Sequence, residues 1–171
     1  ILLAATHFPS KAHWKDSSQT AESFNLAGLI RQAESIVEHG RTVLVGDFNM
    51  NPFDDGVVNA NGLHGVISRH IAMKKARTVQ RREYPFFYNP MWSLFRESPS
   101  NPPGTYYYGS SEHTAFFWHM FDQVLIRPDL LDQFDNNDLK ILSAGEKDSL
   151  LSPQGIPDSA LASDHLPILF R

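Results

Sequence analysis

Residues 42–49, Thr-Val-Leu-Val-Gly-Asp-Phe-Asn, form the stretch on which the fold prediction depends. Its apolar and β-branched run predicts a buried strand that ends at Gly46. Asp47 and Asn49 follow, and both point to the same side if the chain stays extended, because side chains alternate along a strand. Oxygen donors at the carboxyl end of a buried strand suit Mg²⁺ or Mn²⁺ with a phosphate, but they are equally typical of a polar turn.

The residues before this stretch predict a strand–helix–strand unit. Residues 1–6 are apolar enough for a buried strand, and apolar side chains then recur at helical spacing from about Thr20 to Glu38. Thr20 suits the N-cap of this helix and Gly40 suits its end. A strand, a helix and a second strand over about 45 residues are typical of an α/β fold.

The remaining chain predicts further elements around this unit. Residues 51–56 predict a turn into a short helix, and the basic residues of 74–82 follow a second helix. The segment 84–108 is rich in aromatic residues, prolines and turn formers, which indicates a long ordered loop or a small insertion. The expected ranges are a helix over 65–76, strands over 118–127, 139–144 and 166–170, and a loop over 145–163.

Composition limits the class of protein. With 171 residues, the chain is long enough for one domain with a sizeable core, and 42% apolar content indicates a soluble globular protein. The net charge of −4 means that nucleic-acid binding would depend on a local basic patch. The absence of cysteine excludes disulfides and thiolate chemistry. No apolar run approaches the roughly 20 residues of a transmembrane segment. The compartment stays open, with the cytoplasm as the expectation.

Four more polar residues lie at the ends of predicted strands or within one. His7 follows the first strand, Asp122 lies inside an apolar run, and Asp164 and His165 precede the last strand. A buried carboxylate needs a partner or a metal, so Asp122 requires an explanation. Taken singly, each of the four is also typical of a loop, a turn or a partly exposed strand edge.

In combination, these motifs resemble the endonuclease/exonuclease/phosphatase superfamily, which has the DNase I-like fold. The resemblance rests on four motifs in the order that the family has them. These are Thr6-His7-Phe8-Pro9-Ser10-Lys11, Val45-Gly46-Asp47-Phe48-Asn49, the strand around Asp122, and Ser163-Asp164-His165-Leu166-Pro167-Ile168. The resemblance covers essentially the whole chain, but only the second half of the family's four-layer α/β sandwich.

The resemblance implies phosphoester hydrolysis, and it implies a role for each matched residue. His165 would be the general base, or a cation facing the phosphate, and Asp122 would hold its other ring nitrogen. Asp164 would help to bind Mg²⁺, with Mn²⁺ or Ca²⁺ as alternatives. Asp47 would bind metal or orient the nucleophile, and Asn49 would bind metal or hold a phosphate oxygen. His7 would contact the phosphate or assist the leaving group.

The resemblance also predicts that part of the domain is missing. The family's first half supplies an Asn and a metal-binding Glu, and neither can be assigned in this chain. Residue 1 already lies in a predicted strand. We therefore expect a partial domain over residues 1–171, a mixed and largely antiparallel sheet with flanking helices, whose other half is absent or supplied by a partner chain.

Three classes of function stay open on the sequence. The first is a nuclease, with Lys11, Arg81, Arg82 and Tyr106 as candidate substrate contacts, since basic residues bind phosphates and aromatic rings stack on bases. The second is a phosphatase or a sphingomyelinase-like phospholipase that acts on small or lipid phosphoesters. The third is a non-catalytic binding module. The basic stretch is also typical of a solvated surface. The aromatic residues beside it are also typical of side chains that cover a hydrophobic core.

Overall fold

The computed structural model describes residues 1–98, 101–145 and 148–171, which fold around a mixed five-stranded sheet. The helices in this part are α1 (Asp16–Ile36), α2 (Asp55–Val58) and α3 (Arg69–Ala72). The strands are β1 (Leu2–His7), β2 (Thr42–Asp47), β3 (Gly65–Val66), β4 (Ala76–Val79), β5 (Arg82–Pro85), β6 (Phe87–Tyr88), β7 (Tyr106–Tyr107), β8 (Trp118–His119), β9 (Asp122–Ile126), β10 (Lys140–Ile141) and β11 (Ile168–Leu169). Short 3₁₀ helices cover Pro90–Leu94, Pro128–Gln133 and Asn136–Asp138.

The central sheet has the strand order β1-β2-β9-β6-β3. Strands β1 and β2 are parallel, as are β3 and β6, whereas β9 runs antiparallel to both of its neighbours. The pairs β4–β5, β7–β8 and β10–β11 form separate antiparallel ribbons. The predicted α/β class with a mixed sheet is therefore confirmed.

Strand β9 lies between two apolar layers. Leu125 packs with Leu44 and with Ala27 and Ile30 of α1 on one side of the sheet. Val124 belongs to the other cluster, which includes residues from the C-terminal third of the chain. Successive side chains of a strand point to opposite faces, so a strand that is buried on both faces has apolar residues at every position. Residues 123–126 fit this pattern except at Gln123.

Helix α1 is shifted from its predicted position. It begins at Asp16, so that Thr20 lies inside the helix, where its hydroxyl donates to the carbonyl of Asp16. The helix ends at Ile36, before Gly40. The turn that ends it has Glu38 at φ 54° and a hydrogen bond of 3.2 Å from the His39 amide to the Glu34 carbonyl. This is the bond of a Schellman motif, which is commonly made with glycine but here uses Glu38.

The helix predicted over 65–76 is wrong. Gly65–Val66 is a strand because it pairs in parallel with β6, and only Arg69–Ala72 is helical. Ser68 caps this short helix by accepting from the Ile71 amide. Of the basic residues that follow, Arg77, Arg81 and Arg82 lie in the hairpin β4–β5, whose turn has Gln80 and Arg81 at positive φ. The predicted turn over 51–56 into a short helix, in contrast, is confirmed, with α2 beginning at Asp55.

The segment 84–108 is not a loop over the sheet, since it contributes β6 between β9 and β3. Residues 99 and 100 of this segment lie outside the described residues. The strand predicted over 118–127 is divided at Met120–Phe121 into β8 and β9, which belong to different sheets. The two C-terminal strands are confirmed, in shorter form, as β10 and β11.

The predicted loop over 145–163 contains no helix or strand in its described part, and residues 146 and 147 lie outside the described residues. None of the helices in the described ranges has the length and apolar character that crossing a membrane requires.

Candidate active site

Strand register brings three predicted site residues into one row. His7 is opposite Asp47 in the β1–β2 pair, and Asp47 is opposite Asp122 in the β2–β9 pair. Residues that are directly opposite each other on paired strands have neighbouring side chains. The row lies at the carboxyl ends of β1 and β2 and at the start of β9, which is where open α/β sheets usually bind ligands.

His165 joins this row from a distant part of the chain. Tyr106 forms a β-bridge with His165, and the amide of Leu166 donates to the carbonyl of Thr105 at 2.8 Å. The ring nitrogen Nδ1 of His165 lies 2.8 Å from Oδ2 of Asp122. The predicted contact between these two side chains is therefore present.

The environment of His165 raises the pKa of its imidazole. Burial by itself lowers the pKa of the imidazole, but the hydrogen bond to Asp122 and the charges of Asp122, Asp47 and Asp164 outweigh burial, so that the pKa is raised above 6.5. The ring of Tyr106 packs on the imidazole with 4.7 Å between ring centroids. Carboxylates and an aromatic ring thus hold His165 in one orientation.

Asp47 is fixed by its neighbour Asn49. Its Oδ1 accepts from the backbone amide of Asn49 at 2.8 Å, and its Oδ2 accepts from the Asn49 side-chain amide at 2.9 Å. Burial raises the pKa of Asp47, and the backbone hydrogen bond from Asn49 partly opposes this shift. Nε2 of His7 lies 3.4 Å from Asp47, but the His7 side chain is 79% exposed.

Gly46 allows the strand to reach this position. Its φ is +147°, and a Cβ added there would collide with the backbone carbonyl of Thr6 on β1. Any other residue would therefore disturb the pairing that places His7 beside Asp47.

The amide of Asn49 has a defined orientation. Its Nδ2 donates to the carbonyl of Phe8 at 2.9 Å as well as to Asp47, so Nδ2 must be the nitrogen. The remaining atom, Oδ1, is an acceptor. This orientation favours the predicted role of Asn49 as a cation ligand over its predicted role as a donor to a phosphate oxygen.

The residues that could hold a metal ion differ in part from the predicted set. Within the described residues, Asp47, Asp122 and His165 each offer a ligand atom within 4.8 Å of the others. Asp164 lies on the wall of the same cavity and is exposed, but it is outside this cluster. The donors are mostly carboxylate oxygens, which fit Mg²⁺, Mn²⁺ or Ca²⁺.

The row opens into a cavity of about 750 Å³. Two of the predicted substrate contacts, Lys11 and Tyr106, line it. The ammonium group of Lys11 is held by Asp54 at 2.7 Å and by Asp16 at 3.4 Å. The other cavity residues are His7, Ser10, Ala12, Asp47, Asn49, Tyr108, Ser110, Thr114, Ala115, Phe116, His119, Phe121, Asp122, Asp164 and His165.

Arg81 and Arg82 are not brought to the cavity. They lie on the hairpin β4–β5, which leads into Phe86. The carbonyl of Phe86 accepts from Arg127, directly after the end of β9. Because Asp122 is at the opposite end of β9, the basic hairpin is at the far end of the sheet from the cluster.

Sequence reasoning missed two positioning residues. Thr105 is fully buried, and its hydroxyl accepts from the Asp122 amide at 3.1 Å while its carbonyl accepts from Leu166. It therefore ties the Asp122 strand to the His165 segment. Asn51 is also buried and bonds to residues 119 and 120. Thr105 and Asn51 are each a single polar residue among turn formers, so the sequence gives no sign of their contacts. These contacts arise only in the folded chain.

This arrangement can accept a proton and hold a cation beside the same cavity. An imidazole whose Nδ1 is bonded to a carboxylate has Nε2 left for a water or an anion, and two further carboxylates lie close by. No protein-family model matches the chain, and a comparison with curated proteins gives no match.

Proposed function

We propose that this chain carries the base and part of the metal site of a divalent-metal-dependent phosphodiesterase, with nucleic acid as its substrate. The observation that supports this proposal best is the 2.8 Å contact between His165 and Asp122 beside Asp47. A carboxylate-bound imidazole next to oxygen ligands is what hydrolysis by an activated water requires. The resemblance to the endonuclease/exonuclease/phosphatase superfamily leads to the same assignment.

In the proposed reaction, His165 receives the proton of the attacking water. Because Asp122 accepts from Nδ1, the proton moves to Nε2, and Asp122 stabilises the imidazolium that forms. The hydroxyl of Thr105 holds Asp122 in place by accepting a hydrogen bond from the backbone amide of Asp122. His7 is exposed and lies at the end of the row, where it would contact the phosphate or the leaving group.

Asp47, with Oδ1 of Asn49, would hold the metal ion, which is Mg²⁺ in this proposal, with Mn²⁺ or Ca²⁺ as alternatives. Asp164, which lines the same cavity outside the Asp47–Asp122–His165 cluster, would help to bind the ion directly or through water. When bound, the ion would supply positive charge that stabilises the phosphoryl oxygens in the transition state. The raised pKa of Asp47 reflects its burial among other carboxylates, and a cation would relieve this cost.

The proposal includes a DNase I-like fold, of which this chain would be the second half. The mixed sheet with apolar layers on both faces supports it, as does exposed apolar surface at Leu3 of the edge strand and at Ile1 before it. A missing half or a partner chain would cover this surface. Light scattering of the purified chain tests this point, and a monodisperse, stable monomer would contradict it.

The test of function is a substrate comparison. The protein is incubated with Mg²⁺ and, separately, with plasmid DNA, RNA, sphingomyelin and inositol phosphates. Cleavage of nucleic acid that is lost in His165→Ala supports the proposal. Cleavage of only a lipid or an inositol phosphate would favour the phospholipase or phosphatase alternative. If none is cleaved, the chain is better explained as a binding module, and equal cleavage by His165→Ala would contradict the mechanism.

A further inference from the structure

One wall of the cavity is an array of stacked rings. Phe121 is buried beneath the others, with the ring of Tyr106 at 5.3 Å and that of His119 at 4.8 Å between centroids. Phe116 contacts His119 edge-on at 6.3 Å, and its side chain is 56% exposed. We call these four residues the aromatic wall. Tyr106 also packs on His165, so that the wall begins at the proposed base.

The orientation of His119 can be derived from its hydrogen bonds. The side-chain oxygen of Asn51 accepts from the Met120 amide at 3.0 Å, which fixes its other atom as nitrogen. That nitrogen lies 3.1 Å from Nδ1 of His119 and donates to it. Nδ1 therefore carries no proton, and in the neutral ring Nε2 carries it.

The surroundings keep His119 neutral. Burial lowers the pKa of its imidazole, and the positive charge of Lys11 lowers it further. Nε2–H has no hydrogen-bond partner among residues 1–98, 101–145 and 148–171. The aromatic wall that lines the cavity therefore includes a histidine with an unused, uncharged donor.

We infer that the aromatic wall binds an unpaired nucleobase of a single-stranded nucleic acid, and that His119 determines this specificity by donating Nε2–H to an acceptor of the base. This inference rests on the proposed function, since it names the substrate class of the same cavity. A base is flat and has hydrogen-bond acceptors on its edge, so it matches both properties of the wall. Asn51 acts as a positioning residue because it selects the tautomer of His119.

The same properties count against the other phosphoesters. An acyl chain offers no acceptor to His119, and an inositol ring is not flat and requires several hydrogen-bonding partners rather than ring faces. A quaternary ammonium headgroup would bind ring faces, but it would leave the His119 donor unused. A duplex keeps its bases stacked inside, out of reach of the wall.

The test is a binding measurement by fluorescence anisotropy in EDTA, which prevents metal-dependent cleavage. The probes are labelled oligonucleotides of equal length: single-stranded DNA, single-stranded RNA, duplex DNA and a single strand with abasic residues, which keeps the phosphates but lacks the bases. We expect the abasic strand to bind about tenfold more weakly than the matching strand with bases, because stacking contributes strongly for each base. Comparison of the DNA and RNA strands shows which of them supplies the base.

Variants separate stacking from hydrogen bonding. The preference for bases is the ratio of the affinities for the base-containing and the abasic strand. His119→Ala should remove most of this preference. His119→Phe, which keeps a ring without the donor, should reduce the logarithm of the ratio by about half. Asn51→Asp should place the proton of the neutral ring on Nδ1, visible in the ¹⁵N shifts of the imidazole, and should weaken base binding at a pH at which the ring is neutral. His70→Ala, an exposed histidine of α3 outside the cavity, serves as the control and should bind as the wild type does.

Equal binding of the abasic and base-containing strands would overturn the inference, as would an unchanged preference in His119→Ala. Binding to sphingomyelin vesicles but to none of the oligonucleotides would overturn it too, in favour of a lipid substrate. Because no hydrolysis takes place in EDTA, base binding can hold even if His165 proves not to be a base. Conversely, cleavage without base preference would leave the proposed function intact.

Discussion

Nδ1 of His165 lies 2.8 Å from Oδ2 of Asp122, although the two residues are 43 positions apart in the chain. Thr105 connects their backbones, since it bonds to both Asp122 and Leu166. The contact is therefore supported by buried hydrogen bonds that do not involve the two side chains themselves. We therefore expect that the pair can be altered without loss of the fold.

Asp122→Asn should lower phosphodiester hydrolysis by a factor of about 10²–10⁴, the usual contribution of general acid–base catalysis. An amide in place of the carboxylate can donate to Nδ1, which would leave the proton on Nε2 and block the proposed acceptor. The measurement is kcat on the best nucleic-acid substrate. A variant as active as the wild type would contradict the role of Asp122.

The pKa of His165 gives a second readout for the same variant in the metal-free protein. Burial lowers the pKa of His165, and Asp122 is the main group that raises it. Replacing Asp122 removes this opposing effect, so the pKa should fall. Titration of the imidazole by NMR measures it. A pKa that stays as high as in the wild type would show that Asp122 is not the group that raises it.

Removal of divalent ions should abolish hydrolysis, and Mg²⁺ should restore it. Asp47→Asn should weaken Mg²⁺ binding about tenfold or more, because it removes a carboxylate of the ligand cluster. Asp164→Asn should weaken it less, because Asp164 is exposed and lies outside that cluster. Calorimetric titration with Mg²⁺ measures this without reference to activity. Asp132→Asn, an exposed residue outside the cavity, is the matched control. Full activity in EDTA would rule out the metal requirement.

Arg127→Met should lower the free energy of unfolding by about 3–5 kcal/mol, the usual cost of breaking a buried ion pair. The Arg127 side chain is 5% exposed and bonds to both carboxylate oxygens of Glu34 at 2.8 and 3.1 Å. Its loss leaves the Glu34 charge buried without its partner between α1 and the end of β9. Urea denaturation measures the change.

Lys75→Met is the control for the buried pair. It breaks the bond between Lys75 and Asp129, in which the lysine side chain is 72% exposed, so its effect on unfolding should be much smaller. Equal losses in the two variants would mean that burial does not decide the importance of these pairs.

His64 should make the protein less stable in mild acid. Its Nδ1 bonds to the Pro85 carbonyl at 3.1 Å, and its Nε2 accepts from Arg77 at 2.8 Å, so the buried ring is neutral. Burial lowers its pKa below 6.5 in the folded state. As the pH falls, His64 is therefore protonated in the unfolded chain before it is protonated in the folded protein. The stability that is present above pH 6.5 is lost as the pH falls through the pKa of the folded state.

The measurement is the free energy of unfolding at pH 7 and pH 5 for the wild type and for His64→Asn. Asparagine tolerates the φ of 53° at this position and does not titrate. The wild type should lose more stability than the variant between the two pH values. An equal loss would show that other groups cause the acid sensitivity.

Local signals in the sequence were sufficient for some elements. The run of residues 42–45 predicted β2, and the turn formers after Asn51 predicted the start of α2. The prediction over 65–76 was wrong because pairing between Gly65 and Phe87 overrides the local preference, and this partner is 22 residues away in the chain. Strand β6 was missed for the same reason, since a two-residue strand has no periodicity of its own.

The sequence by itself determined the chemical types at the site: oxygen donors at a strand end, a histidine beside an aspartate, and aromatic residues in the second half of the chain. Only the tertiary structure decided which of them meet. Register aligns His7, Asp47 and Asp122, the Thr105 contacts bring in His165, and the basic hairpin with Arg81 lies at the other end of the sheet. Residue types are local properties of the chain, whereas pairing between distant strands depends on the free energy of the whole fold.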